Sequence, residues 1–384
     1  MTSRFKNIQS QHFSLWLLLA LLSSFQVIAG STSEQTNPQP QKFLMVVSGH
    51  GENQGKDQPG YEFDELAKAY LTFRDNGVLV DIASPQGGAV EADQYDPEKP
   101  YNQDFMADQQ AMSQLADTKA LKDLDSADYA AVFIVGGKGA MFDLPQDPSL
   151  QQIIAQVYQA GGAVGAVCHG PAALVDVKLD DGSYLVAGKK VNAFTNIEEK
   201  LFGKKWINSY DFLLEDKLKD RQAQFQSSPM MLSHVAIDQR LVTGQNPTST
   251  VDTAQALLQS IGITPKPGNQ YSDDLTLKLV AEILQGHEQA IQKYQEHKAN
   301  YEPMLVGMYG YMYFETADTR QGYQQALTLM ELTQQDLNHP KLNLQIAKAH
   351  IKLEQTSQAK ALLTELSSSH PELAEAQELL AQLK

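Results

Sequence analysis

Up to about residue 260 the chain alternates two kinds of hydrophobic pattern, and beyond that point only one of them persists. Short apolar runs that end in glycine-bearing turns predict buried strands at Phe43 to Val47, Val78 to Ala83, Tyr129 to Val135 and Ala163 to Val167. Weaker runs at Val191 to Phe194 and His234 to Ile237 add two more. Between them, apolar residues at helical spacing predict helices at Phe63 to Arg74, Leu150 to Gln159 and Ser249 to Ser260, with a further helix opened by Gly170. This alternation, over residues 42–264, predicts an α/β domain with a mostly parallel sheet and helices on both faces. Ligands of such sheets bind outside the carboxyl ends of the strands. The turns Ser48-Gly49-His50-Gly51, Ser84-Pro85-Gln86-Gly87-Gly88 and Gly136-Gly137 fall at those ends.

Past Pro265-Lys266-Pro267-Gly268 the strand pattern stops, and residues 270–384 predict an all-α domain. The stripe Met304, Met308, Met312 marks one helix face and is expected to face the core. His339-Pro340 and His370-Pro371 bracket a helix pair with Ile346, Ala347, Ala359 and Leu363 at its packing positions, which resembles a tetratricopeptide unit. Such helices imply a protein partner or a surface on their own catalytic domain.

Composition narrows the class. A length of 384 residues suits two domains, and 42% apolar with 20% charged residues is ordinary for a folded soluble protein. Residues 1–29 read as an export signal: Arg4 and Lys6 precede the apolar run Leu15 to Leu22, and Val27-Ile28-Ala29 offers a cleavage site. The run is too short for a comfortable membrane span. Residues 30–41 form a polar linker, and the expected destination is the periplasm or the exterior. The net charge of −16 becomes more acidic by two once that segment is removed. Such a charge argues against nucleic acid and anionic membrane as partners. A single cysteine, Cys168, precludes an internal disulfide and stands out in an oxidising compartment.

Cys168 closes the run Gly161-Gly162-Ala163-Val164-Gly165-Ala166-Val167 and precedes His169-Gly170-Pro171. Glycine allows close approach there, and proline suits a first helical turn. This is a nucleophile elbow in outline, with the thiol expected at the positive end of a helix. The reading of Cys168 as a small core residue stands beside it. No histidine spacing suits a zinc site, and Gly49-His50-Gly51 lacks the helix and glycine spacing of a dinucleotide loop, so neither metal nor nicotinamide cofactor is expected.

The stretch AVCHGPAAL, preceded by FIVGGKGAMFDLP and followed by AFTNIEE and LVTGQNPTS, resembles the ThiJ/PfpI superfamily, whose fold is that of class I glutamine amidotransferases. Within it the likeness is to the branch of glutathione-independent glyoxalase III enzymes and stress chaperones, in order and spacing, from about Phe43 to Leu258. The resemblance implies a flavodoxin-like sandwich. It makes Cys168 the nucleophile, His169 the adjacent acid/base, and Glu199 the carboxylate that orients the histidine, with Glu198 as the competing neighbour. Glu65, in GYEFDELAKAY, corresponds to a buried glutamate that approaches the sulfur, whereas Glu62 and Asp64 are read as a solvated helix face. Gly137 and His169 correspond to backbone oxyanion donors. Lys138 replaces the branch's usual histidine, and His50 could line the pocket. No cofactor is implied.

The activity so implied is conversion of methylglyoxal or a related dicarbonyl to a hydroxy acid through a cysteine hemithioacetal. Two alternatives are a holding chaperone or redox sensor, and a cysteine-dependent peptidase or amidase. Relatives also suggest a homodimer.

Overall fold

The computed structural model describes residues 41–203 and 205–383; the predicted export segment and nearly all of the linker lie outside the described residues. Pro40–Lys384 forms one compact unit.

Nine strands are present among the described residues: β1 (Lys42–Val46), β2 (Leu79–Ser84), β3 (Lys119–Ala120), β4 (Ala131–Ile134), β5 (Ala163–Val167), β6 (Lys190–Val191), β7 (Gln224–Phe225), β8 (Val235–Asp238) and β9 (Leu241–Gly244). Seven of them form one sheet in the order β3-β2-β1-β4-β5-β9-β8, parallel except for the β8–β9 hairpin. β6 and β7 pair separately. The helices of this part are α1 (Phe63–Asp75), α2 (Pro100–Ala107), α3 (Gln109–Ala116), α4 (Ala140–Asp143), α5 (Pro148–Gln159), α6 (Asn196–Phe202), α7 (Leu214–Asp220) and α8 (Thr250–Ser260). The mostly parallel α/β architecture is the one the hydrophobic pattern predicts.

Both faces of β1 are buried. Phe43 and Met45 join Leu66, Phe73, Phe133 and Leu257 on one side, while Leu44 and Val46 join Ile134, Ile154 and Leu174 on the other. A strand sandwiched between helix layers has no polar face, which is why these runs read as continuous rather than alternating. β9 was not among the predicted strands. Four residues ending in glycine give little periodicity, yet β9 fills the slot beside β5, with Val164 opposite Leu241. The predicted strand at Val191 to Phe194 contributes only Val191 to the small second sheet.

Beyond α8, seven α-helices follow among the described residues: α9 (Ser272–Leu284), α10 (Glu288–Glu296), α11 (Pro303–Thr316), α12 (Arg320–Leu337), α13 (Pro340–Lys352), α14 (Thr356–Ser369) and α15 (Ala374–Gln382). One expectation fails here. Met304 and Met308 are 55% and 51% exposed, and α11 buries Val306, Gly307, Tyr309, Gly310 and Phe314 instead. The reason is close packing on α12: a side chain at Gly307 would meet Leu337 Cδ1 at 2.6 Å, and one at Gly310 would meet Leu329 Cβ at 2.9 Å. The buried face is the one with the small residues, so its apolar content is disguised.

The helical part is joined to α1 by a buried ion cluster. Lys68 Nζ lies 2.7 Å from Asp274 Oδ1 and 3.3 Å from Asp273 Oδ2, both at the start of α9. Tyr101 Oη donates to Asp273 Oδ2 at 2.9 Å and contacts Asp64 Oδ2 at 3.0 Å. Asp64, expected on a solvated face, also accepts from Asn102 Nδ2 at 2.6 Å.

Candidate active site

β5 is completely buried, and at its carboxyl end Cys168 turns the chain with φ 61°, in the left-handed region. A residue with a Cβ holds that conformation at a cost of about 1–2 kcal/mol. Neighbouring backbone enforces it: Cys168 N donates to Gly244 O at 2.9 Å, and Cys168 O accepts from Phe194 N at 2.9 Å. Gly170 has no room for a side chain, since a Cβ would sit 2.5 Å from Ile134 O. The chain then enters a five-residue 3₁₀ segment, Gly170–Leu174, rather than the expected α-helix, closed by Ala172 N donating to His169 O at 2.9 Å. So short a segment has little macrodipole to offer the sulfur. Instead burial, then the Glu65 and Glu62 carboxyls, push the Cys168 thiol well up, opposed by the Gly137 N–H directed at it. The resting group is a thiol that requires a base.

That base is adjacent. His169 Nδ1 lies 3.4 Å from Cys168 Sγ, and His169 Nε2 bonds Glu199 Oε1. A carboxylate at Nε2 assigns the proton to that nitrogen and leaves Nδ1 free to accept one from sulfur. Phe194, its ring centroid 4.5 Å from that of the imidazole, holds the histidine plane. Glu199 stands in the first turn of α6, and a side chain at Gly203 would collide with its Oε2.

Glu198 points the other way. It caps α6 by accepting from Thr195 N at 2.9 Å and Thr195 Oγ1 at 2.8 Å, and it accepts from Met231 N, Gln245 Nε2 and Asn246 Nδ2 at 2.7, 3.1 and 3.0 Å. Of the two adjacent carboxylates, Glu199 reaches the histidine and Glu198 fixes the helix start that carries it.

Glu65, on α1, is fully buried and accepts from Gly136 N at 2.7 Å through Oε2. Among the described residues its Oε1 has no hydrogen-bond partner. The carboxyl faces the sulfur, and a side chain at Gly136 would strike both Glu65 Oε2, at 2.6 Å, and Cys168 Cβ, at 2.8 Å. Burial, reinforced by Glu62, raises Glu65 well above the usual carboxylate range. In its protonated form such a carboxyl can donate a hydrogen bond to a thiolate without adding charge. Gly137 takes φ 95° against Tyr61 and Glu62. That conformation suits glycine and aims its N–H at the sulfur.

The wall of the site contains residues that sequence reasoning did not single out. Glu62, at the N-cap of α1, is raised to about 7 by burial and by Asp64, with Lys138 pulling it down. Asp93 accepts from Gly60 N at 2.7 Å and is raised by burial, with Lys138 and His169 opposing. The Lys138 charge thus favours the ionised form of both carboxylates. His50, expected as a pocket candidate, stacks on Phe142 at 4.6 Å and has its imidazole pKa lowered by burial. Phe142 touches Tyr210 edge-on at 5.5 Å, and Tyr210 lies 6.3 Å from the His169 ring. Only the local motif GYEFDELAKAY could have drawn attention to Glu62; nothing in the sequence around Tyr210 marks it. Among the described residues, no cluster of three or more histidine, cysteine or acidic side chains could hold a metal ion.

The profile of the DJ-1/PfpI family matches residues 58–260, more than half of the chain. The protein belongs to the DJ-1/PfpI family. Cys168, His169, Glu199, Glu65 and Gly137 all lie within the DJ-1/PfpI segment, whereas α9 to α15 lie beyond it. A glutathione-independent glyoxalase of Schizosaccharomyces pombe is 32% identical over 222 residues, covering 52% of this chain and 86% of that protein. Another from Saccharomyces cerevisiae is 32% identical over 229 residues, covering 56% and 95%. Among solved structures, the Rapid Encystment Protein of Francisella tularensis aligns with TM-score 0.54 and 32% identity over 58% of this chain and 99% of that one. Glyoxalase III of Candida albicans aligns with TM-score 0.53 and 27% identity, over 57% and 97%.

The buried acid of this DJ-1/PfpI site has a measurable consequence. Since the folded-state pKa of Glu65 is raised, folding retains a proton that the unfolded chain releases above its ordinary carboxylate pKa. That contribution to stability is complete at low pH and is lost as pH rises toward the folded value. Glu65→Gln keeps an acceptor for Gly136 and never ionises. It is expected to raise the urea midpoint at pH 8 and to flatten the decline in stability between pH 5 and 8. Identical pH profiles for the variant and the parent would contradict the burial of a protonated acid.

Proposed function

We propose that this protein is a glutathione-independent glyoxalase that converts methylglyoxal, or a dicarbonyl like it, to a 2-hydroxy acid. The observation that carries the reading is the contact chain Cys168 Sγ, His169 Nδ1 and Nε2, Glu199 Oε1, set beside a buried Glu65. The relatives named as glyoxalases support the choice among the chemistries such a chain could perform.

In this reading His169 takes the thiol proton as the substrate arrives, and the sulfur bonds the aldehyde carbon, whose carbonyl π pair moves to oxygen. The N–H groups of Gly137 and His169 hold that oxyanion, and Glu65 donates to sulfur until the carbon–sulfur bond is made. His169 returns the thiol proton to the oxyanion and, neutral again, takes the proton from the first carbon; the enediolate receives that proton on the second carbon as the hydroxyl proton passes to the second oxygen, which leaves a thioester. Water cleaves it to the hydroxy acid and frees the thiol. The dicarbonyl is its own electron sink, because the second carbonyl accepts the pair released by the first carbon.

The test is lactate formation from methylglyoxal by the reduced protein without glutathione. Failure of the intact thiol form to make lactate rejects the reading. Glu199→Gln, which keeps the shape but lets the imidazole choose the wrong tautomer, is expected to lower kcat ~10²–10⁴-fold.

We further propose export of the chain through residues 1–29 and a tetratricopeptide-like partner surface on α13 and α14. Fractionation of cells producing the full chain tests the first: retention in the cytoplasm at full length rejects it.

A further inference from the structure

The aromatic wall of the site holds one polar atom with nothing to bond. Tyr210 comes from the segment between α6 and α7, and its ring is set edge-on against Phe142 at 5.5 Å. Phe142 in turn is fixed by the His50 stack at 4.6 Å and by Trp206 edge-on at 6.4 Å. The tyrosine ring is therefore built into a packed aromatic group, and its hydroxyl has a set direction. Among the described residues that hydroxyl has no hydrogen-bond partner, although its oxygen is sealed from solvent. Its ring centroid lies 6.3 Å from that of His169, and Glu199, Cys168 and Asp93 are the ionisable groups near enough to act on it. A buried hydroxyl without a partner is costly, and a site keeps one where a ligand completes it.

We propose that Tyr210 Oη is a substrate hydrogen-bond donor, bonding the second carbonyl oxygen of the dicarbonyl as it becomes an enediolate oxygen. The assignment rests on the glyoxalase reading above. When His169 removes the proton from the first carbon, the C–H pair becomes the new carbon–carbon π bond. The π pair of the second carbonyl then moves onto its oxygen. The Gly137 and His169 N–H groups serve the oxygen on the first carbon, which leaves the second oxygen in need of a donor. Tyr210 keeps its own proton throughout: burial, with Glu199, Cys168 and Asp93 nearby, raises the phenol above its ordinary value. A neutral donor in a dry site stabilises the developing charge without stabilising the ketone equally, and such a contact acts on kcat.

Tyr210→Phe removes the hydroxyl and keeps the ring. With methylglyoxal it is expected to lower kcat ~10²–10³-fold while KM changes by less than about threefold. Alkylation of Cys168 by iodoacetamide should proceed at the parent rate. Acetohydroxamate, a planar enediolate mimic with adjacent oxygens, supplies a readout that needs no turnover. Calorimetry is expected to show its affinity for the parent protein falling at least about tenfold in Tyr210→Phe. Parent-like kcat in the variant, equal hydroxamate affinity in both proteins, or no hydroxamate binding by the parent overturns the assignment. Should the parent fail to turn over dicarbonyls while the affinity difference persists, the glyoxalase reading falls and the donor role of Tyr210 stands.

Discussion

Cys168→Ala is expected to reduce dicarbonyl turnover to the uncatalysed background, a loss of ~10⁴-fold or more, because no other thiol exists in the chain to form the hemithioacetal. The same position makes a second, opposite expectation about stability. Cys168 occupies φ 61°, which alanine tolerates no better than cysteine and glycine adopts freely. Cys168→Gly should therefore be as inactive as Cys168→Ala yet unfold at higher urea. The gap is about 0.5–1 kcal/mol, the relief of the turn offset in part by the freer unfolded chain. Lactate formation and urea melts on the two variants check both halves. If the glycine variant is the less stable, the turn is not strained and its geometry needs another cause.

Lys68→Met is expected to cost about 3 kcal/mol of stability, the effect of truncating one member of a buried ion pair and stranding its partners. Lys68 is nearly inaccessible, and the charges left behind would be Asp273 and Asp274, with Tyr101 bridging to Asp64. The ammonium also lies 4.5 Å from the centre of the Tyr101 ring, a contact that methionine replaces only in part. The pH dependence identifies the cause. Burial raises Asp274 to about 6, so its contribution favours the folded state at low pH and fades as pH rises through that value. Without Lys68 the penalty at neutral pH grows, and the variant should recover stability between pH 7 and 5 more steeply than the parent. Lys68→Met combined with Asp274→Asn should regain part of the loss at pH 7. Urea titrations across that range decide it, and a pH-independent deficit would mean that packing alone is lost.

The architecture and the chemical pair at residues 168 and 169 were legible in the sequence because they are local. A glycine-rich strand, a cysteine at the turn and Gly170-Pro171 are consecutive, and the resemblance supplied the distant Glu65, Glu199 and Gly137. Three kinds of feature escaped. The choice between Glu198 and Glu199 depends on Met231, Gln245 and Asn246, which reach Glu198 from more than thirty residues away. Glu62, Asp64 and Lys68 share a helix pattern with solvated charges, and only the fold places α9 and the site wall against them. The methionine stripe of α11 was assigned to the wrong side because periodicity identifies faces without saying which is covered. Gly307 and Gly310 carry no hydrophobic weight but permit the closest helix contact.

The two kinds of sulfur in this protein meet an oxidant on unequal terms. Met304 and Met308 lie open on α11, while the Cys168 thiol is 4% exposed and held protonated by its surroundings. Oxidation to sulfenic acid requires an accessible thiolate, whereas a thioether needs only access. Peroxide would leave its first trace as sulfoxide on the surface of α11, ahead of any change at the buried sulfur of Cys168.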